Sequence, residues 1–290
     1  VPFALAPGES AWIPIVYSAV SLEIEPSSAL EWLTSTLAYF ERLTGRLQMP
    51  GDPFAAEFLE RSIHQCHNAV ALSEDGDLVG EAALGSSPLT DNIRMKDVHD
   101  PVMPLALFDP DLARRAIGFL LEWSVRYKGR YEGGIEHSLC NALAPVSMAG
   151  LYWESTADAS FFRDHPEVRE QCTGLLDRTL ASAGDEPLLR AIRISDGFAA
   201  GDYHTGSNIF AWHALTVFAR VLEEVYGEEE KAEGYRARAA AIREALYARN
   251  VVRGPLGPQF AEGINSDGSL PLLQKFQRGV SGIPPEHALW

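Results

Sequence analysis

"SLCNALAPVSMAGLYWEST", residues 138–156, carries one charged residue, Glu154, and small or apolar residues on every helical face. A helix that is apolar all round is buried on most of its circumference. Its alanines, glycine and serines let neighbouring backbones come close. The next stretch is of the opposite kind: "PEVREQCTGLLDRTLAS", residues 166–182, begins at Pro166 and is amphipathic at helical spacing. The pair then recurs. "NIFAWHALTVFARVLEEVYG", residues 208–227, is apolar first, acidic later and closed by Gly227. "EEKAEGYRARAAAIREALYA", residues 229–248, is an exposed helix with i,i+4 charge pairs. A buried helix followed by an amphipathic one implies stacked helix hairpins, as an open solenoid or a closed ring.

Other helices precede these. Residues 27–47 offer Ser27 and Ser28 as caps, then Leu30, Leu33, Leu37, Phe40 and Leu43 at spacings of three and four. Residues 53–69 open on Asp52-Pro53, and residues 109–127 on Asp109-Pro110. Residues 70–82, "VALSEDGDLVGEA", place an Asp-Gly turn between apolar ends and read as a β-hairpin or a long inserted loop. Residues 1–20 read as two short strands, with "LAPGES" like the last hairpin of a β-sandwich. The last forty residues hold six glycines and five prolines and read as loop. The expected fold is therefore all-α: an (α/α)6-type toroid of antiparallel hairpins over residues 23–290, after a β segment over residues 1–22. About eight helices are legible, fewer than a complete ring of six hairpins needs, so the ring is open or the chain is a fragment of one. In such a ring the apolar helices line the inside and the long connections gather at one end.

Composition narrows the function. The chain has 290 residues, 46% of them hydrophobic, enough for a large core. A formal net charge of −16 repels phosphate backbones and argues against nucleic acid as a partner. No apolar run reaches the ~18 residues of a membrane span, and no signal peptide is visible. The first residue, Val1, leaves room for a segment ahead of it. Cys66, Cys140 and Cys172 are far apart and read as buried free thiols. No Walker loop, HExxH or GxSxG occurs. His64 and His67 share a helix face without a third ligand, so no metal and no cofactor are expected.

Three long connections carry polar chemistry. Residues 86–107 hold Asp91, Asn92, Arg94, Lys96, Asp97, His99 and Asp100 and read as a loop before an apolar helix. Residues 127–143 place Glu136 and His137 after Gly133-Gly134 at the start of the 138–156 helix, where a cap or a core histidine would also stand. Residues 193–212, "RISDGFAAGDYHTGSNIFAW", set Asp196 and Asp202 among Gly197, Gly201 and Gly206. Glycine lets a backbone approach a ligand closely, and Ser207-Asn208 can cap the next helix without either aspartate. Tyr203, His204 and Trp212 add flat surfaces for sugar rings. Inverting glycoside hydrolysis needs a carboxylic acid and a carboxylate roughly 6.5–9.5 Å apart, the acid desolvated so that it keeps its proton.

Across residues 60–250 the chain resembles the α/α-toroid glycoside hydrolases and phosphorylases, which include processing α-glucosidases and glycogen-debranching glucosidases. "IRMKDVHDPVMPLALFDPDLARRAIGFLL" looks like their substrate-binding segment, and "LAPVSMAGLYWESTADASFFRDHPEV" is similar to a characteristic helix pair. "ISDGFAAGDYHTGSNIFAWHAL", followed by "YRARAAAIREALY", looks like the acid-bearing loop and the next hairpin. The resemblance implies that Asp97 binds sugar at the cleavage subsite, with Lys96 where the family has arginine. It implies that Asp202, or alternatively Asp196, is the general acid. Glu262, with Asp267 as its rival, is the late loop carboxylate available as base.

The expected function is thus inverting cleavage of a glycosidic bond in an oligo- or polysaccharide. Glu136, His137, Tyr203, His204 and Trp212 would orient the sugar. The alternatives are a phosphorylase in which phosphate replaces the base, an epimerase using His137 with His204 or His213, and a non-catalytic carbohydrate-binding scaffold.

Overall fold

The computed structural model describes residues 6–8, 28–44, 49–68, 70–72, 78–81, 95–121, 138–193, 199–254 and 256–271. Apart from residues 6–8, the expected N-terminal β segment lies outside them, as does its boundary near residue 22. The chain divides into two compact units, Val1–His64 and Gln65–Trp290. The first holds helix α1 (Ser28–Thr44) and most of α2 (Pro53–Asn68). Asp52 caps α2 by accepting the Ala55 N–H at 3.0 Å, with proline at the first helical position. The Phe40 ring lies 4.5 Å from that of His64.

The second unit begins with strands β1 (Val70–Leu72) and β2 (Leu78–Glu81), paired antiparallel with Val70 opposite Glu81. Of the two sequence alternatives for this stretch, the hairpin is the one formed. Helix α3 spans Met95–Leu105, in a stretch that the sequence reading assigned to a long loop. Pro101 and Pro104 each remove a backbone donor inside a helix, which ordinarily breaks one. Here burial overrides propensity. Val98, Val102 and Leu105 recur at helical spacing and are at most 1% exposed, so packing holds the helix together.

Helix α4 (Pro110–Phe119) is capped by Asp109, which accepts the Leu112 N–H at 3.1 Å. Helix α5 (Leu139–Thr156) is capped by Ser138 and buried along most of its length. It ends at Ala157, in the left-handed region at φ 51°. Asp158 then caps the short α6 (Ala159–Asp164) and accepts the Tyr152 hydroxyl at 2.7 Å. That bond, with burial as the larger cause, pushes the Tyr152 phenol up to about 12. Helices α7 (Pro166–Ala183), α8 (Thr205–Tyr226) and α9 (Glu229–Arg249) complete the helical set among the described residues.

The C-terminal stretch departs from the loop expected of it. Strands β4 (Val251–Gly254) and β5 (Gly257–Phe260) form an antiparallel hairpin. Gly257, at φ +118°, supplies the turn conformation. Strand β3 (Tyr203–His204) pairs antiparallel with β6 (Gly263–Ile264).

Side-chain contacts fix the helix directions. Along α5 and α8, Cys140 Sγ meets Ser207 Oγ at 3.7 Å, Ser147 Oγ meets His213 Nδ1 at 3.5 Å, and Arg220 Nη1 meets Glu154 Oε1 at 2.6 Å. Residue numbers rise together, so the two helices run parallel. Gly150 makes this close approach possible, because a Cβ there would collide with the Val217 side chain. On α7 and α9, Arg169 pairs with Glu228, and Asp177 accepts from Lys231 at 2.8 Å and Tyr235 at 2.6 Å. These helices are parallel too. Helices α8 and α9 form an antiparallel hairpin, with Arg236 reaching back to Glu223. The unit is therefore built of hairpins, with α5 and α8 side by side and α7 and α9 side by side.

Helix α3 joins the first pair. His99 Nε2 lies 3.1 Å from Ser147 Oγ of α5, and the His99 ring lies 5.2 Å from Phe210 of α8. The α3–α4 turn sits at the foot of α5, since Arg114 of α4 reaches Asp158 at 3.7 Å. Helix α3 consequently runs in the same direction as α5 and α8, and the N-termini of all three face one end.

Candidate functional site

Asp202 lies at that end, just before α8 begins. Its Oδ2 accepts the Ser266 N–H at 2.7 Å, and its Oδ1 meets Arg190 Nη1 at 3.2 Å. The loop after β6 is thereby tied to the loop before β3. Two glycines permit the close approach. Gly201, at φ +67°, would bring a Cβ within 2.5 Å of the Ile264 carbonyl oxygen, and a Cβ on Gly263 would strike the Ala200 carbonyl. Gly201 serves the approach of one strand to another, where the sequence suggested the approach of a ligand.

The same end is locked from inside. Asn208, fully buried, donates to the Leu189 and His204 carbonyls at 3.0 and 2.9 Å and accepts the Leu189 N–H at 2.8 Å. Thr205 donates its hydroxyl to the Ala261 carbonyl at 2.6 Å and accepts Asn250 Nδ2 at 2.8 Å. Its N–H bonds the Glu262 carbonyl at 2.8 Å. The sequence-predicted Asp202 and Glu262 are therefore brought onto one paired β3–β6 framework, although they are distant in the chain. The Glu262 side chain is exposed.

Three expectations are corrected. The Ser266 backbone and hydroxyl hold the Asp202 carboxyl below its ordinary value, with Arg190 assisting and burial opposing. A carboxyl so held is ionised at neutral pH, the reverse of what a proton donor needs. Tyr203 is only 4% exposed, and its ring lies under the guanidinium groups of Arg190 and Arg249 at 5.6 and 5.0 Å. It offers no face to a sugar. His204 caps α8, its Nδ1 accepting the Ser207 N–H at 3.0 Å. Sequence reasoning gave that role to Ser207 and Asn208. Burial holds the His204 imidazole below its ordinary value.

Trp212 is half-buried in the first half of α8. Lys96 and Asp97 belong to the first turn of α3, whose N-terminus faces the same end; their side chains are outside the described set. Asp196, Glu136 and His137 lie outside the described residues. Asp267 accepts the Ser269 hydroxyl and N–H at 2.6 and 2.9 Å, so it shapes its own loop. Among the described residues no group of three or more His, Cys, Asp or Glu is placed to hold a metal ion. Among the same residues no helix is long and apolar enough to cross a membrane.

A polar cluster forms where α3, α5 and α8 meet, and it joins His99, Asp100 and His213 to Ser147, which sequence reasoning did not single out. His99 Nδ1 lies 2.9 Å from Asp100 Oδ1, and His99 Nε2, Ser147 Oγ and His213 Nδ1 follow in a line. His99 and Asp100 share α3, whereas Ser147 and His213 come from apolar stretches of α5 and α8, so no local pattern joins the four. A separate polar cleft of about 1080 Å³ lies between α4, α6 and α7, lined by Asp111, Arg114, Arg115 and Asp164 among others. No family model matches the chain, and no curated protein matches it.

Proposed function

We propose that the chain is a carbohydrate-active protein of the α/α-toroid kind, its hairpins forming part of a ring, and that it cleaves a glycosidic bond with inversion. The observation that carries this is the shared direction of α3, α5 and α8. Their N-terminal connections hold the polar loops picked out from sequence, and the Glu262 loop is fastened to the same end through Asp202 and Thr205. Polyol recognition needs several donors and acceptors converging from separate connections.

Electrostatics gives Asp202 its role, and the remaining roles come from the sequence. Asp202 is an ionised acceptor that holds the loop after Ile264 in place. Asp196, the alternative acid, takes the proton-donating role. Glu262, an exposed carboxylate on the framework that Asp202 anchors, activates water. Asp97 and Trp212 bind the sugar, Lys96 standing beside Asp97.

The test is turnover of an oligosaccharide panel with the anomer of the product followed by NMR. Wild type is expected to release the inverted anomer. Asp196→Asn and Glu262→Gln are each expected to lose roughly 100-fold or more in kcat. Asp202→Asn is expected to lose less, because it acts by holding a loop. Retention of anomeric configuration, or full rates in both Asp196→Asn and Glu262→Gln, overturns the mechanism. Binding without turnover in wild type leaves the carbohydrate-binding scaffold in its place.

A further inference from the structure

We propose that Asp100, His99, Ser147 and His213 form one hydrogen-bond chain across α3, α5 and α8 that holds a single proton between its two imidazoles, so that the charge state of His99 sets the tautomer of His213. The geometry carries this. Asp100 Oδ1 lies 2.9 Å from His99 Nδ1, so that nitrogen bears a hydrogen and Nε2 of neutral His99 presents a lone pair. Ser147 has one hydroxyl hydrogen, which it donates to His99 Nε2 at 3.1 Å. His213 Nδ1, 3.5 Å from the same oxygen, must then be the donor on that longer link.

A proton gained by His99 reverses the chain. Its Nε2 now donates to Ser147, the hydroxyl turns toward His213, and the hydrogen of His213 moves to Nε2. When both imidazoles are charged, both donate to one oxygen. The serine hydrogen then loses its imidazole acceptor at a site 1% exposed, which costs free energy alongside the repulsion of like charges.

The groups facing the chain agree with this. Glu154 of α5, itself paired with Arg220 of α8 at 2.6 Å, faces His213 and favours its charged form; burial and His99 disfavour it. His99 faces Asp100 on its own helix, Ser147 on α5 and the Phe210 ring on α8. Asp100 is 53% exposed on its side chain, so the chain leads from solvent to the seam between α5 and α8. Helix α8 also carries the cap beside Asp202. The chain is thus a proton-sensing link from a solvent-facing pair to the helix that bears the candidate site. It holds whether or not that site cleaves sugars.

Long-range ¹H–¹⁵N NMR on the full chain with ¹⁵N-labelled histidine tests this between pH 8 and pH 5. At pH 8 His213 is expected as the Nδ1–H tautomer. On acidification, His213 is expected to pass to the Nε2–H tautomer before it carries both hydrogens. Ser147→Ala is expected to return His213 to the Nε2–H form already at pH 8 and to abolish that pH-linked change of tautomer. An Nε2–H form of His213 in wild type at pH 8, or identical behaviour of both proteins, overturns the proposal. The wild-type spectrum decides the tautomer by itself, so the test stands even where the variant folds poorly.

Discussion

The seam along α5 and α8 and the clamp between β3 and β6 hold the second unit together by different means. The seam is made by packing: Gly150 against Val217, with polar contacts from Cys140–Ser207 to Arg220–Glu154 along its length. The clamp is made by hydrogen bonds and by the absence of Cβ atoms, with Asn208, Thr205, Gly201 and Gly263 each answering a backbone group of a distant segment. A packed seam tolerates no added volume, whereas a bonded clamp tolerates volume at its rim and no unpaired donor. The seam is therefore sensitive first to added volume, and the clamp to a lost hydrogen bond.

Substitution can break this comparison at either side. The largest effect is expected from Gly150→Val, which drives a branched side chain into Val217. Even a Cβ there would strike the Val217 side chain, so overpacking costs about 3 kcal/mol or more, and the better helix propensity of valine offsets only a fraction of it. A urea unfolding midpoint unchanged from wild type would show that the seam is loose. Asn208→Ala comes next, at about 2–3 kcal/mol, because it strands buried backbone groups of Leu189. It should also raise amide exchange in residues 188–204 while α5 stays protected. Equal loss of protection in both regions would show that clamp and seam are one unit.

The smallest effect is that of pH, and it runs in one direction in both regions, stability falling with pH. Burial holds His204 and His213 below their ordinary 6.5, so the folded state resists their protonation. The stability this gives is full above pH 6.5 and is lost as pH falls from there through the lower folded values. Hydrogen bonds from Ser160 to Asp158, and from Ser266 to Asp202, hold those carboxyls below 3.8. Their contribution is full above pH 3.8 and is lost below it. Unfolding midpoints at several pH values should decline in two stages, and a single decline confined to the carboxylate range would remove the histidine contribution.

The seam was legible in the sequence and the clamp was not. Small residues and a nearly uncharged surface along residues 138–156 announce a buried helix by composition alone. Helices α7, α8 and α9 follow from periodicity and from caps such as Pro166 and Gly227. Helix α3 was missed because Pro101 and Pro104 punctuate the sequence more loudly than Val98, Val102 and Leu105 pattern it. The clamp joins Tyr203 to Ile264 through strands of two residues each, too short for any alternation to register. The burial of Tyr203 under two guanidinium groups, and the holding of Asp202 by Ser266, depend on that pairing. Hence the sequence marks Asp202 as a loop carboxylate but not the Ser266 N–H that it accepts.

The parallel course of α5 and α8 is the point on which the shared end depends, and one disulfide tests it. Ser207→Cys puts a second thiol beside Cys140, whose Sγ lies 3.7 Å from the serine oxygen. Mild oxidation followed by peptide mapping should join Cys140 to the introduced thiol in folded protein and not in urea. A folded, oxidised variant that keeps both thiols free, or that links the introduced thiol to Cys172 or Cys66 instead, would contradict the parallel seam and disperse the candidate site with it.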